Sequence, residues 1–110
     1  GEFAAVETVT LAGRPTYLVT HPAGAHGSCA IVVRYRGAVP DVLLERCGST
    51  PNATFELADG MPVVVLEQST YEPDYVTGLR YAERYRWTGR RFVFAGRSAL
   101  YPAEESYEPE

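Results

Sequence analysis

Apolar residues recur at every second position along most of this chain, and glycine, proline and short polar clusters interrupt the alternation every eight to ten residues or so. Period two is the repeat of a strand, with alternate side chains on opposite faces. Turn residues at such intervals cut the chain into consecutive hairpins. The pattern therefore predicts an all-β chain of about eight strands, arranged as four successive antiparallel hairpins in a sandwich or propeller-like sheet.

Phe3 to Leu11 and Pro15 to His21 read as the first pair of strands. A three-residue loop Ala12-Gly13-Arg14 would set Val9 opposite Tyr17, with Leu11 and Val19 on the same face. Residues 22–28 form a loop of small residues. Cys29 to Arg36 and Val42 to Cys47 form the second hairpin across Gly37 to Asp41. Cys29, Ile31, Val33 and Tyr35 share a face there, which Leu43, Glu45 and Cys47 can join. Asp59-Gly60 opens the third turn, because both of its positions need positive φ. Counting outward pairs Leu57 with Pro62 and Phe55 with Val64. Val63-Val64-Val65 is apolar on both faces and predicts a central strand covered on both sides.

Leu79 to Trp87 and Arg90 to Ala95 make the fourth hairpin. A two-residue turn Thr88-Gly89 would set Tyr85 opposite Phe92 and Glu83 opposite Phe94. Tyr81, Tyr85, Trp87, Phe92 and Phe94 then form an aromatic stripe, with Arg84, Arg86 and Arg91 on the reverse face. A helix over 75–87 is the rival reading, since Val76, Leu79 and Ala82 have helical spacing. Gly78 and the strand preference of Tyr and Trp oppose it.

At 110 residues the chain is one domain, read as 1–100 with an acidic tail at 101–110. Gly1-Glu2-Phe3 reads as a trimmed or appended start, so a mature region or an excised domain is expected. All ten basic residues are Arg, yet the formal net charge is −4, which disfavours nucleic acid as a partner. No apolar stretch is long enough for membrane insertion as a helix.

Cys29 and Cys47 fall on one face of one hairpin. A bridge between them would close a loop of about 18 residues, which in the chain-entropy model stabilises by about 3 kcal/mol. Such a bridge goes with a periplasmic or extracellular location. The competing reading is a pair of buried free thiols.

The stretch Asp59-Gly60-Met61-Pro62-Val63-Val64-Val65-Leu66, followed by Tyr85-Arg86-Trp87-Thr88-Gly89-Arg90-Arg91-Phe92, resembles the FG-GAP/VCBS-like modules of bacterial secreted proteins. The likeness covers roughly residues 55–95. It implies an envelope or extracellular β-module used for binding. Some members of that family hold calcium in an Asp/Asn-rich loop. Phe55 to Gly60 lacks that acidic spacing, so no calcium site carries over.

His21, His26 and Cys29 have the chemistry of metal ligands but no standard spacing and no fourth partner, so neither metal nor cofactor is expected. No nucleophile motif is present. Glu67, Glu72, Asp74 and Glu83 could supply a glycosidase-like carboxylate pair, against the commoner reading of solvated surface acids. Asn52-Ala53-Thr54 fits a glycosylation sequon.

The favoured function is a non-catalytic binding module for a protein or glycan partner, with Arg84, Arg86, Arg91, Tyr71 and Tyr75 as its contact residues. The alternatives are a periplasmic inhibitor or immunity-type protein that blocks an enzyme cleft with a loop, and a small hydrolase or metalloenzyme. Three like charges on one hairpin call either for nearby carboxylates, the tail acids Glu104, Glu105, Glu108 and Glu110 among them, or for an anionic partner.

Overall fold

A computed structural model describes residues 5–24, 27–49, 52–72 and 78–103. They form eight strands and no helix: β1 (Ala5–Leu11), β2 (Arg14–Pro22), β3 (Ser28–Arg36), β4 (Val39–Gly48), β5 (Asn52–Ala58), β6 (Met61–Ser69), β7 (Arg80–Trp87) and β8 (Phe92–Arg97). The chain makes two four-stranded antiparallel meanders in sequence order, β1-β2-β3-β4 and β5-β6-β7-β8. The rival helix is overturned over its second half, where Arg80–Trp87 is a strand paired on both sides.

The two sheets stack face to face as an open sandwich. One continuous core joins Leu11, Leu18, Ala30, Val32 and Leu43 of the first sheet to Val64, Leu66, Tyr85, Trp87 and Phe92 of the second. Both Val64 and Leu66 are fully buried. The valine run of β6 is central as its sequence predicts, between β5 and β7. Its even-numbered residues enter the sandwich. Val63 and Val65 pack with Ala82 and the half-buried Tyr101 on the outer face.

Turn chemistry sets the register next to each hairpin turn, and bulges shift it farther along two of the pairs. Asp59 (φ 53°) and Gly60 (φ 78°) take the left-handed conformations that a tight hairpin requires. The predicted pairs Phe55–Val64 and Leu57–Pro62 follow. The first hairpin differs from its expected register. Ala12 (φ 50°) and Gly13 (φ 77°) alone form its turn, so Leu11 pairs with Arg14, and Val9 meets Thr16 instead of Tyr17. Leu11 and Val9 therefore share the inner face with Thr16 and Leu18, while Val19 turns outward. In the second hairpin Cys29 pairs with Cys47 and Ile31 with Glu45, so these four residues share one face as expected. A bulge at Val32/Val33 then rotates Leu43 into the core, away from the cysteine face.

The fourth hairpin also departs from its predicted register. Its turn has four residues, Thr88 to Arg91. Thr88 N–H donates to Arg91 O (3.0 Å), and Thr88 Oγ accepts from the N–H groups of Arg90 and Arg91 (3.4 and 3.3 Å). The longer turn slides the pairing by two residues, so Trp87 faces Phe92 and Tyr85 faces Phe94. Period two keeps Tyr85, Trp87 and Phe92 inside. Phe94, on the edge strand, stays 57% exposed, with its ring edge-on to Tyr85 at 5.7 Å. Of the five stripe residues, Tyr85, Trp87 and Phe92 are thus core, Tyr81 is half-buried and Phe94 is surface.

Cys29 and Cys47 are bridged directly across β3 and β4, with Cα atoms 4.0 Å apart. Reducing this bridge should lower the unfolding free energy by about 3 kcal/mol in the chain-entropy picture. Urea titrations with and without reductant, alongside Cys29→Ser with Cys47→Ser, check the value. Phe92→Ala, which empties a core position shared with Phe55 and Trp87 (ring centroids 6.2 and 5.1 Å), should cost about 3–5 kcal/mol in the same assay.

Candidate binding site

Polar groups cluster inside one end of the sandwich. β7 turns Glu83 inward beside Tyr85, and β6 turns Gln68 inward beside Leu66. Arg46 reaches across from β4 and grips Glu83 with two bonds, Nε to Oε1 at 3.1 Å and Nη2 to Oε2 at 3.2 Å. Gln68 Nε2 and the Tyr85 hydroxyl also donate to Glu83 Oε1, each at 3.2 Å. Ser49 Oγ donates to Gln68 Oε1 (2.9 Å) and accepts from the Ser69 N–H (2.7 Å). Arg46 Nη1 further donates to the Cys47 carbonyl, next to the disulfide. A Cβ at position 48 would come within 2.9 Å of Arg46 Nη1 and 3.0 Å of Gln68 Oε1, so Gly48 leaves room for the cluster. Every functional oxygen of Glu83 is engaged, and the carboxylate acts as a clamp between the sheets.

This geometry separates the acids that might have formed a catalytic pair. Glu67 and Glu83 lie on opposite faces of the second sheet, because Glu67 pairs with Ala82 and Glu83 with Leu66. On the outer face Glu67 accepts from Asn52 Nδ2 (2.8 Å) and from the Tyr101 hydroxyl. Glu72 is exposed, and Asp74 lies outside the described residues. Of the possible metal ligands, Cys29 has its sulfur in the disulfide and His21 Nδ1 contacts the Pro22 carbonyl (3.2 Å). His26 lies outside the described residues. No group of three or more His, Cys, Asp or Glu side chains gathers among the described residues.

The arginines fall into two groups. Arg80, Arg84 and Arg86 form a row along the outer face of β7, opposite Ser69, Val65 and Val63 of β6. Arg91 does not join them. It sits in the turn before β8, because that turn has four residues, and there it lines a cleft with Arg90. Tyr71 is exposed beyond the far end of β6, where Ser69 pairs with Arg80; Arg86 pairs with Val63 at the other end. Six residues of strand, about 20 Å at ~3.3 Å each, separate those ends, so Tyr71 and the turn arginines cannot share one small contact. Tyr75 lies outside the described residues, as do the tail acids.

Among the described residues Arg46–Glu83 is the only ion pair. The Nε atoms of Arg80 and Arg84, and Nε and Nη1 of Arg34, are buried with no hydrogen-bond partner. Arg34 instead stacks over Trp87, its guanidinium carbon 5.3 Å from the ring centre. No local sequence signal pointed to Arg34, Arg46 or Gln68, since each acts on residues distant in the chain.

Comparison with known proteins finds no matching family, no similar curated protein and no similar solved structure.

Burial pushes the Tyr85 phenol above its ordinary range, and the neighbouring Glu83 charge pushes the same way against Arg46. A group with a raised folded pKa binds its proton more tightly when folded. Its stabilising contribution is therefore complete below the unfolded value of about 10 and is lost as pH rises through the folded value. Wild type should thus lose stability from about pH 10 upward more steeply than Tyr85→Phe, in melting curves recorded across ~pH 9–11. At neutral pH Arg46→Ala, which leaves Glu83 short of its main partner, should cost about 2 kcal/mol, below the range for a fully buried pair because Arg46 is partly solvated.

Proposed function

We propose that this chain is a non-catalytic binding module of a periplasmic or extracellular protein, and that it recognises an acidic protein or glycan through the outer face of its second sheet. The observation that carries this reading is the row Arg80, Arg84 and Arg86. It has no ion-pair partner among the described residues, although the chain as a whole is acidic. Like charges along one strand repel each other, a cost that the packing beneath them does not require. Guanidinium groups mounted on a central strand are held at fixed spacing, which favours bidentate contacts to carboxylate or sulfate.

Three further features support the reading. The disulfide fits an oxidising compartment. Both buried carboxylates among the described residues are already engaged, Glu83 in its clamp and Glu67 by Asn52 and the Tyr101 hydroxyl. The resemblance of residues 55–95 to secreted bacterial modules points to the same class of protein.

Retention on immobilised poly-glutamate and on immobilised heparin tests it. The wild-type protein should be held at low salt on at least one matrix despite its net charge, and released as salt screens the contacts. Arg84→Gln with Arg86→Gln should elute several-fold earlier in salt with an unchanged melting temperature. Passage of the wild type through both matrices unretained would sink the reading.

A further inference from the structure

The two lateral openings of the sandwich are built differently. At the β1–β5 side, Glu7 of β1 reaches across and accepts from the Phe55 N–H of edge strand β5 (3.3 Å), so a side chain covers that edge. At the other side, an open cleft of about 510 Å³ lies between edge strand β4 and the β7–β8 turn. Its lining is Asp41, Val42, Thr88, Arg90, Arg91 and Val93.

We infer that this cleft is a binding site for an acidic saccharide, a uronate-bearing glycan whose carboxylate is taken by Arg90 and Arg91 and whose hydroxyls are taken by Asp41. The cleft volume is within the roughly 300–1,000 Å³ typical of small-ligand sites. Arg90 and Arg91 are consecutive, and the Thr88 hydroxyl holds both of their backbone N–H groups, so the turn that carries them is set before any ligand arrives. Neither guanidinium has an ion-pair partner among the described residues, although Asp41 lines the same cleft. Directly across β3–β4 from Asp41 stands Arg34, which stacks on Trp87 and forms no ion pair with Asp41, so the Asp41 carboxylate keeps its charge for the cleft.

Asp41 is what selects a saccharide. A bare anion would gain from the arginines and be repelled by Asp41. A sugar acid satisfies both, because its hydroxyls donate to Asp41 while its carboxylate accepts from the guanidiniums. Val42 and Val93 supply an apolar surface for the C–H face of the ring. An acidic peptide added as an extra strand fits less well, because both edges here are guarded. β4 carries Pro40 and the bulged Leu43, and β8 pairs with β7 through its own irregularity near Gly96.

The site uses neither Arg84 nor Arg86, so its failure is distinguishable from failure of the outer-face reading. The chain has one tryptophan, Trp87, directly before the turn, and its fluorescence reports occupancy. Titration with a tetra-galacturonate should change that signal saturably, while a neutral tetra-glucoside should not. Arg90→Gln with Arg91→Gln should weaken binding at least tenfold; Arg84→Gln with Arg86→Gln should leave it unchanged. Asp41→Ala should weaken tetra-galacturonate about tenfold. If Asp41→Ala instead tightens it, the cleft is a simple anion site and the proposal is overturned. It is equally overturned if an alternating Glu-Val hexapeptide binds as tightly as the saccharide, or if tetra-galacturonate gives no saturable change.

Discussion

Burial of two inner sheet faces against each other is the constraint on which the rest of this molecule depends. Each four-stranded meander has one apolar face, and neither can leave it in water. Leu11, Leu18 and Val32 need Val64, Leu66 and Trp87 as much as the reverse. Once the faces are matched, the strand repeat fixes every other side chain. The Arg46–Glu83 clamp operates inside that arrangement. Buried ion pairs are weak sources of net stability, because desolvation offsets much of the Coulomb attraction. Their value here is positional: a bidentate bond between β4 and β7 forms in one relative placement of the sheets, and Gln68, Tyr85 and Ser49 complete it only in that placement.

The outer features follow from how each edge is finished. The disulfide ties β3 to edge strand β4 near one end, and the Leu43 bulge twists the same strand farther along. Glu7 covers one lateral edge, whereas the four-residue turn of the last hairpin holds Arg90 and Arg91 beside the other. A two-residue turn, as the Thr88-Gly89 pair predicts on its own, would have placed these arginines within the strand and removed the cleft wall. The Thr88 hydroxyl, by capturing two backbone N–H groups, links turn type to the surface chemistry.

Much of the fold was legible because local rules governed it. Asp59-Gly60 set its register unaided, Val63-Val64-Val65 announced a central strand, and the face shared by Cys29 and Cys47 announced their bridge. Three features escaped for physical reasons. Ala12 at positive φ is costly for a residue with a Cβ, so the alternation alone could not place the first turn. The bulges at Val32/Val33 and near Gly96 break period two without a compositional marker. The clamp joins residues 37 apart in the chain, and the stacking of Arg34 on Trp87 is likewise a product of the sandwich. The candidate surface was legible to the same degree. Arg84 and Arg86 could be assigned outward from parity, but the departure of Arg91 to a separate site depended on a turn length that the residue types left open.

The separation of fold from surface has a further consequence along β7. Glu83, Tyr85 and Trp87 point inward, and Arg84 and Arg86, set between them, point outward. Inward positions are held by packing and by a saturated hydrogen-bond cluster, so changes there act on stability. Outward positions carry long charged side chains opposite Val65 and Val63, with Arg86 exposed and Arg84 half-buried. A change from Arg to Gln at those positions keeps much of the stem and removes the charge. The charge on the outer face can therefore change without disturbing the clamp one residue away, because adjacent residues of a strand act in different environments.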